Sequence, residues 1–255
     1  MHSAAERGLS PGMLRTLTIA GLIVLWEIAG RLGDQSFVAP PSKVIAAYAP
    51  TLAANPKLVP AMLLALGELL AAFALAVTVG IGVGVGIGIT DLGRRSLFPI
   101  VLLLYGLPQV VLLPLFILIF GLGPPSRIAF GFSHGVLPII VNTVAGMRNV
   151  NPLYVASART MGASRLQILR HVVFPNMVGT VFTGLRLAMT LTLLGVILAE
   201  LFVSTNGIGN YTQIFAETFR PAALFGLIFT LAVGAVCLNE LVRMVENRFS
   251  RWKQG

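Results

Sequence analysis

The stretch ASARTMGASRLQILRHVVFP, Ala156 to Pro175, lies between two strongly apolar segments, yet it carries three arginines, a histidine, a glycine and a run of small residues. Just before it, Asn151-Pro152 pairs an N-capping side chain with a proline at the first helical position. A short helix is therefore expected through Leu153 to Met161, with Gly162 taking the positive φ that ends it. Ser164 and Gln167, three residues apart, read as the capping box of a second short helix with Leu166, Leu169 and Val173 on one face; Phe174-Pro175 closes it. Helices this short do not stand alone in water, so they must pack against something. The first presents Ala156, Ser157, Ala158, Gly162 and Ala163, all small, with Arg159 and Arg165 beside them. The residues leave two readings open: a knob that docks another protein, or an amphipathic loop on lipid headgroups.

The chain on either side is built for a membrane. Of its 255 residues 56% are hydrophobic and only 11% charged, against about 25% charged in soluble domains. Its long apolar runs approach the roughly 20 residues that cross a hydrocarbon layer as a helix. Six spans are expected: Met13–Arg31, Ala61–Ile89, Leu97–Phe120, Ile128–Met147, Asn176–Val203 and Ala222–Met244. The first has no small-x-small cleavage pattern after it and reads as a retained span. A short helix capped by Ser42 is expected after Pro41, and turns at Asn206-Gly207 and Gly209-Asn210. The third span contains Pro99, Pro108 and Pro114, which should kink it.

The second span ends VGIGVGVGIGIT, glycine alternating with β-branched residues. In water this would be a strand; in lipid the unpaired backbone forces a helix. Gly80, Gly84 and Gly88 then form one flat face and Gly82 and Gly86 another, both suited to close helix contact. The run lacks the lysine of a phosphate-binding loop and the acidic partner of a dinucleotide site.

The net charge of +9 has no aromatic-basic cluster behind it, so nucleic acid is not the partner. It follows membrane sidedness instead. Arg7, Arg15, Arg94, Arg95, Arg148, Arg159, Arg165, Arg170, Arg243, Arg248, Arg251 and Lys253 fall on one side of a six-span chain, twelve against the five (Arg31, Lys43, Lys57, Arg127, Arg220) on the other. Both termini and the Ala156–Pro175 stretch are expected in the cytoplasm. The lone Cys237 excludes an intrachain disulfide and reads as a small core hydrophobe. His134 and His171 are isolated, so no metal site is expected.

Ionisable groups inside the spans are expensive and mark an interior or a cavity. Glu68 and Glu200 are candidates for an outer gate or a helix lock, Arg186 for anion passage, for snorkelling inward or for pairing with an acid, and Asn142 for bridging helices; these four are the candidate pathway residues. Glu27 and Glu240 read as interfacial or interhelical partners.

YVASARTMGASRLQILRHVVFP resembles the EAA loop of the inner-membrane permeases of bacterial ABC importers. FVAPPSKV, PLFILIFGLG, LPIIVNTVAGMRNV, GLRLA, LLGVILAELF and GIGNYTQ are similar to the nitrate, sulfonate and taurine branch, so the likeness spans nearly the whole chain. Ala156 stands where that pattern has glutamate, so any charge pairing made there in relatives is absent. The resemblance implies an all-α, six-helix type I permease fold, one transmembrane domain over residues 1–255 with a coupling loop at 148–175. It implies Ala156, Ser157, Ala158, Arg159, Gly162, Ala163, Ser164 and Arg165 as the ATPase-coupling surface. It also implies a second copy of the chain, two cytoplasmic ABC ATPases that use ATP and Mg, and a periplasmic or lipid-anchored binding protein, in a bacterial inner membrane. The chain has no P-loop and no catalytic constellation of its own. A small anion is the expected cargo; an ABC permease for a pyrimidine vitamin precursor and a self-powered secondary transporter are the alternatives, the latter disfavoured by the lack of an internal repeat.

Overall fold

The computed structural model describes residues 10–34, 37–203 and 207–250. Arg7, Arg251 and Lys253 of the charge count, and Asn206 of the expected turn, lie outside them. Twelve α-helices follow in order among the described residues: α1 Pro11–Leu32, α2 Pro41–Ala54, α3 Leu58–Ile89, α4 Asp91–Ser96, α5 Phe98–Gly106, α6 Leu113–Phe120, α7 Pro124–Arg148, α8 Pro152–Thr160, α9 Arg165–Ile168, α10 Phe174–Val203, α11 Ile208–Glu217 and α12 Pro221–Ser250. Among the described residues five helices are long and apolar enough to cross a membrane, and Asp91–Gly106 with Gln109–Phe120, which pass the same test only together, make a sixth if the bent pair is one crossing.

That bent pair departs from expectation. The third span is not one kinked helix but two segments meeting at 88°. Leu107, held extended ahead of Pro108, ends α5, and a short 3₁₀ turn Gln109–Leu112 leads into α6. Pro99 and Pro114 sit in the first turns of α5 and α6, where a missing N–H costs no helical hydrogen bond. The prolines therefore start helices rather than bend one.

Two compact units divide the chain. In residues 1–58 with 212–231, α1 and α2 are joined by Glu27. Its carboxylate accepts from Arg31 Nε (2.6 Å) and from the Ser42 hydroxyl (2.7 Å) and backbone N–H (3.0 Å). Ser42 is thus not the cap of α2: Pro40 holds that position, Pro41 starts the helix, and the Ser42 side chain is spent on Glu27. Tyr48 and Thr230 hydroxyls meet at 2.9 Å, and Trp26 lies against Phe225.

In residues 59–211 with 232–255, α7 is the central helix: 56% of its apolar window is buried, against none of α1. A core of Ala76, Ile87, Val101, Val136, Ile139, Ile140, Val144 and Ala188 joins α3, α5, α7 and α10. The expected glycine face of α3 meets α7. A Cβ on Gly80 would fall 2.8 Å from Ile139, on Gly84 2.6 Å from Thr143, and on Gly88 2.4 Å from Met147 Sδ. Gly82 and Gly86 have nothing within 4 Å, so the second face is open in this chain. Against α10, α7 is as close: a Cβ on Gly135 would touch Thr192, and one on Gly184 would touch Asn142, at 2.1 and 2.6 Å. Cys237 on α12 is exposed, not a core residue; the outer face of a spanning helix takes hydrophobes of any size.

Candidate functional site

The Ala156–Pro175 stretch folds largely as its local chemistry dictates. The Asn151 side chain accepts from Leu153 N–H at 2.9 Å and starts α8. Gly162 has φ of 80°. Its N–H donates to Arg159 O and the Ala163 N–H to Ala158 O, both at 3.0 Å, which is the Schellman closure. Ser164 caps α9 with both bonds of the capping box, to and from Gln167. We expect Ser164→Ala to cost about 1 kcal/mol of local stability, read as faster amide exchange over residues 164–168 with no change in α7.

One boundary is different. No break separates this stretch from the fifth span: Leu169–Val173 is a π turn, and one continuous helix runs Arg165–Val203. The wide turn solves the Pro175 problem. Proline clashes with the carbonyl four residues back in an α-helix, and here the Phe174 N–H already reaches Leu169 O, five back. The 39-residue helix is roughly 58 Å long at 1.5 Å per residue, nearly twice the hydrocarbon thickness. A helix of that length outreaches the layer, and its first turns, which carry Arg165, Gln167, Arg170 and His171, are the end expected to project from it, with α8 beside them.

The surface of this projection is not made of small residues alone. Ala156, Ser157, Arg159, Gly162, Ser164 and Arg165 are exposed, Ala163 is half-buried and Ala158 is buried, so Ala158 supports the turn rather than facing outward. Leu153, Tyr154, Met161 and Leu166 are exposed around them, Met161 at 80%. The result is an apolar knuckle rimmed by Arg159 and Arg165.

The intramembrane charges gather at the other end of the same helices. Arg127, which charge counting alone assigns to an outer loop, lies in the first turn of α7 and is buried. It holds Glu68 of α3 at 3.0 Å and Glu200 of α10 at 3.3 Å. Glu200 also accepts the Gly209 N–H at 2.8 Å, fastening the start of α11. A Cβ on Gly209 would lie 2.5 Å from the Glu200 carbonyl carbon, so α11 rests on the last turn of α10. Gly209-Asn210 is therefore inside a helix, not a turn. One cation facing two buried carboxylates depends on every partner: removing one member of such a cluster typically costs about 3–5 kcal/mol.

Arg186 pairs with Glu246 of α12 at 3.1 Å, so of its expected fates the structure shows the pairing with an acid. Asn239 donates to Thr190 at 3.1 Å along the same α10–α12 contact. Asn142 does not bridge helices by a hydrogen bond. Its amide donates to Pro138 O, 2.8 Å away on its own helix, and its contact with α10 is packing of its Cβ against Gly184. Glu240 pairs with Arg243 one turn on, at 3.2 Å. The pathway candidates thus fall into one buried cluster (Glu68, Glu200), one half-exposed ion pair (Arg186) and one locally bonded amide (Asn142).

Glu246 is not singled out by the sequence, Gly209 is read there only as part of a turn and Arg127 only as an outer-side charge. A signal for Arg127 exists, however. Stepping back four residues at a time along α3 from Gly80 passes Ala76 and Ala72 and arrives at Glu68, so the acid lies on the glycine face and needs a cation on the helix it meets.

Membrane-length helices, a buried charge cluster joining three of them and a capped helical knuckle ahead of the fifth span are the features of a membrane transport permease. The chain belongs to the family described as binding-protein-dependent transport system inner membrane component, which matches residues 76–251. It is accordingly a permease subunit of an ABC importer. It is 26% identical over 251 residues to the formylaminopyrimidine transport permease protein ThiX of Halalkalibacterium halodurans, covering 94% of this chain and 95% of that one. It is 30% identical over 234 residues to the putative aliphatic sulfonates transport permease protein SsuC of Escherichia coli, covering 91% and 89%. Among solved structures, the inward-facing MetNI methionine ABC transporter is similar at a TM-score of 0.62 with 18% identity, over 76% of this chain and 94% of that one; this confirms the type I importer permease fold.

Proposed function

We propose that this chain, as a homodimer in a bacterial inner membrane, forms the pathway through which a small anion, of the sulfonate, nitrate or carboxylate class, enters the cell. The whole of residues 1–255 acts as one transmembrane domain, and residues 148–175 are its coupling loop. A periplasmic or lipid-anchored binding protein delivers the solute, and two cytoplasmic ABC ATPases, using ATP and Mg, supply the work. The observation that carries this reading is the knuckle at Gly162: an apolar, arginine-rimmed projection on a helix continuous with the fifth span. A helix is stiff along its axis, so displacement of the knuckle by a closing ATPase passes directly into α10 and, through the close α7–α10 contact, into the centre of the bundle. Ala156, Ser157, Arg159, Gly162, Ser164 and Arg165 face the ATPase; Ala158 and Ala163 set the turn.

Arg186 is the half-exposed cation of the spans, with Glu246 as its counter-ion. An anion passing it trades places with a carboxylate, so its charge is screened without being trapped. Glu68 and Glu200 lock the outer end of the pathway, and Asn142 lines it. A pyrimidine cargo is the second reading, favoured by the ThiX likeness over nearly the full length.

The deciding experiment purifies the chain with a co-expressed ATPase. ATP hydrolysis is then measured with binding proteins loaded with a sulfonate, nitrate or a pyrimidine. Stimulation by an anion-loaded protein supports the main reading; stimulation by the pyrimidine alone moves the cargo to the second. A reporter fused after Gly255 is expected to read cytoplasmic, since basic residues favour that side. Activity of a periplasm-only reporter at that fusion would reverse the orientation.

A further inference from the structure

The contacts between α3 and α7 share one offset. Glu68 meets Arg127, Ala72 meets Gly131, Ala76 meets Gly135, Gly80 meets Ile139, Gly84 meets Thr143 and Gly88 meets Met147. Every pair is 59 positions apart, and every step is four residues. The helices therefore run parallel, with one row of side chains from each interdigitating. Such a row is nearly self-similar under a slip of one turn. If α7 moved four residues toward the C-terminal end of α3, Ile139 would face Gly84, Thr143 would face Gly88, Gly135 would face Gly80 and Gly131 would face Ala76. Each of these four contacts sets a residue against a glycine or alanine; Arg127 would meet Ala72 with an unbranched side chain that can turn aside, and Met147 would pass beyond Ile89, the last residue of α3, so the row itself admits the slip. A slip the other way sets Ile139 on Ala76, and the branched Ile139 Cβ, which already stands 2.8 Å from the Cβ position on Gly80, has no way to turn aside from an alanine. What the permitted slip destroys is the charge contact: Arg127 would pass to Ala72, leaving Glu68 buried without it.

α10 moves with α7. Val196 meets the Cβ position on Gly131 and Thr192 the one on Gly135, and a slip of one turn between these two helices would set Thr192 on Ile139 or Val196 on Arg127, neither of them small. Glu200 therefore stays with Arg127, and the sliding surface is α3 against the α7–α10 pair. Residues 148–173, the link between α7 and α10, belong to that pair, so force on the link is directed along the same surface.

We propose that the Glu68–Arg127 ion pair is a register stop: it selects one of two sterically allowed registers of α3 along the α7–α10 pair, about 6 Å apart at four residues of rise. Buried ion pairs contribute little net stability beside apolar residues of similar size, and specifying register is their best-attested use. The small residues supply close contact and leave the register open; the charges close it.

Cysteine pairs read the register directly. In a Cys237→Ser background, Gly88→Cys with Met147→Cys reports the observed register, in which the two Cβ positions are 3.5 Å apart, within disulfide range. Gly88→Cys with Thr143→Cys reports the slipped one. With the ion pair present, oxidation in membranes should link the first pair at least about tenfold faster than the second. The decisive variant neutralises the cluster at near-constant volume: Glu68→Leu, Arg127→Met and Glu200→Gln together. It is expected to insert and fold, and to link the second pair at a rate comparable to the first. If it folds and links only the first pair, packing sets the register and the proposal fails. If it does not fold while Arg127→Lys does, the cluster serves stability rather than register, and the proposal also fails.

Discussion

Gly84→Leu is expected to remove most of the folded protein, whereas Gly82→Leu, two residues away in the same helix, is expected to leave yield and thermal stability of the isolated chain near wild type. Both substitutions replace glycine with a good helix former in the same 32-residue helix, so local propensity predicts the same small gain at each. They differ in what the new side chain meets. At Gly84 the first added carbon already lies 2.6 Å from Thr143 Cβ and 3.2 Å from Ile140 O, and Thr143 is fully buried. Three further carbons have no space, so α3 must lift off α7 along several turns. Overpacking typically costs about 1–3 kcal/mol where side chains can give; here the obstacle includes backbone, and the loss should reach or exceed that upper figure. Gly82 has nothing within 4 Å. Size-exclusion yield and the melting temperature in detergent check the pair. Equal losses at both positions would point to a helix-wide effect, and a normal Gly84→Leu protein would place that face against lipid.

Gly162→Val is expected to leave the spans folded and to abolish coupling to an ATPase. The φ of 80° is the reason, since no atom of this chain lies within 4 Å of an added Cβ. A left-handed residue costs an ordinary L-amino acid roughly 1–2 kcal/mol, and a β-branched one more. The two bonds that close α8, from Gly162 to Arg159 O and from Ala163 to Ala158 O, give little to set against that cost. The turn opens and the knuckle loses its shape, while α7 and α10 keep their core. A graded series isolates the backbone term. Gly162→Asn should retain most ATPase co-purification, because asparagine tolerates this conformation; Gly162→Ala should lose part, and Gly162→Val nearly all. Substrate-stimulated hydrolysis and uptake should fall in the same order. Equal, wild-type co-purification across the series would leave the stretch as a membrane-surface loop.

The parts of this protein legible in one dimension are those whose causes are local. Asn151-Pro152, Gly162 and the Ser164–Gln167 box are each decided within a few residues, so cap, turn and second cap all stand where the sequence puts them. Membrane-length helices follow from composition, since lipid offers the backbone no other partner. Glycine spacing gave two candidate faces of α3, of which the structure packs the one at Gly80, Gly84 and Gly88 and leaves Gly82 and Gly86 open. Where expectation failed at Ser42 and Gly209, something distant intervened: Ser42 was drawn to Glu27, and Gly209 was fastened into a helix by Glu200; at Asn142 the nearer carbonyl of Pro138 took the amide.

By itself, then, the sequence determined that this chain spans a membrane as helices, which surfaces of α3 are flat, and where a capped knuckle interrupts the apolar runs. Propensity, capping and hydration act over a turn or two, and they are written in neighbouring residues. Only the tertiary structure decided that α3 and α7 run parallel at one offset, that the third span breaks at Pro108, and that Arg127 leaves the outer loop to stand between Glu68 and Glu200. A buried charge takes its partner from whichever helix packing brings within reach, here residues 59 and 73 positions away. Helix spacing in a single sequence says which sides of a helix can be used, but not which neighbour uses them.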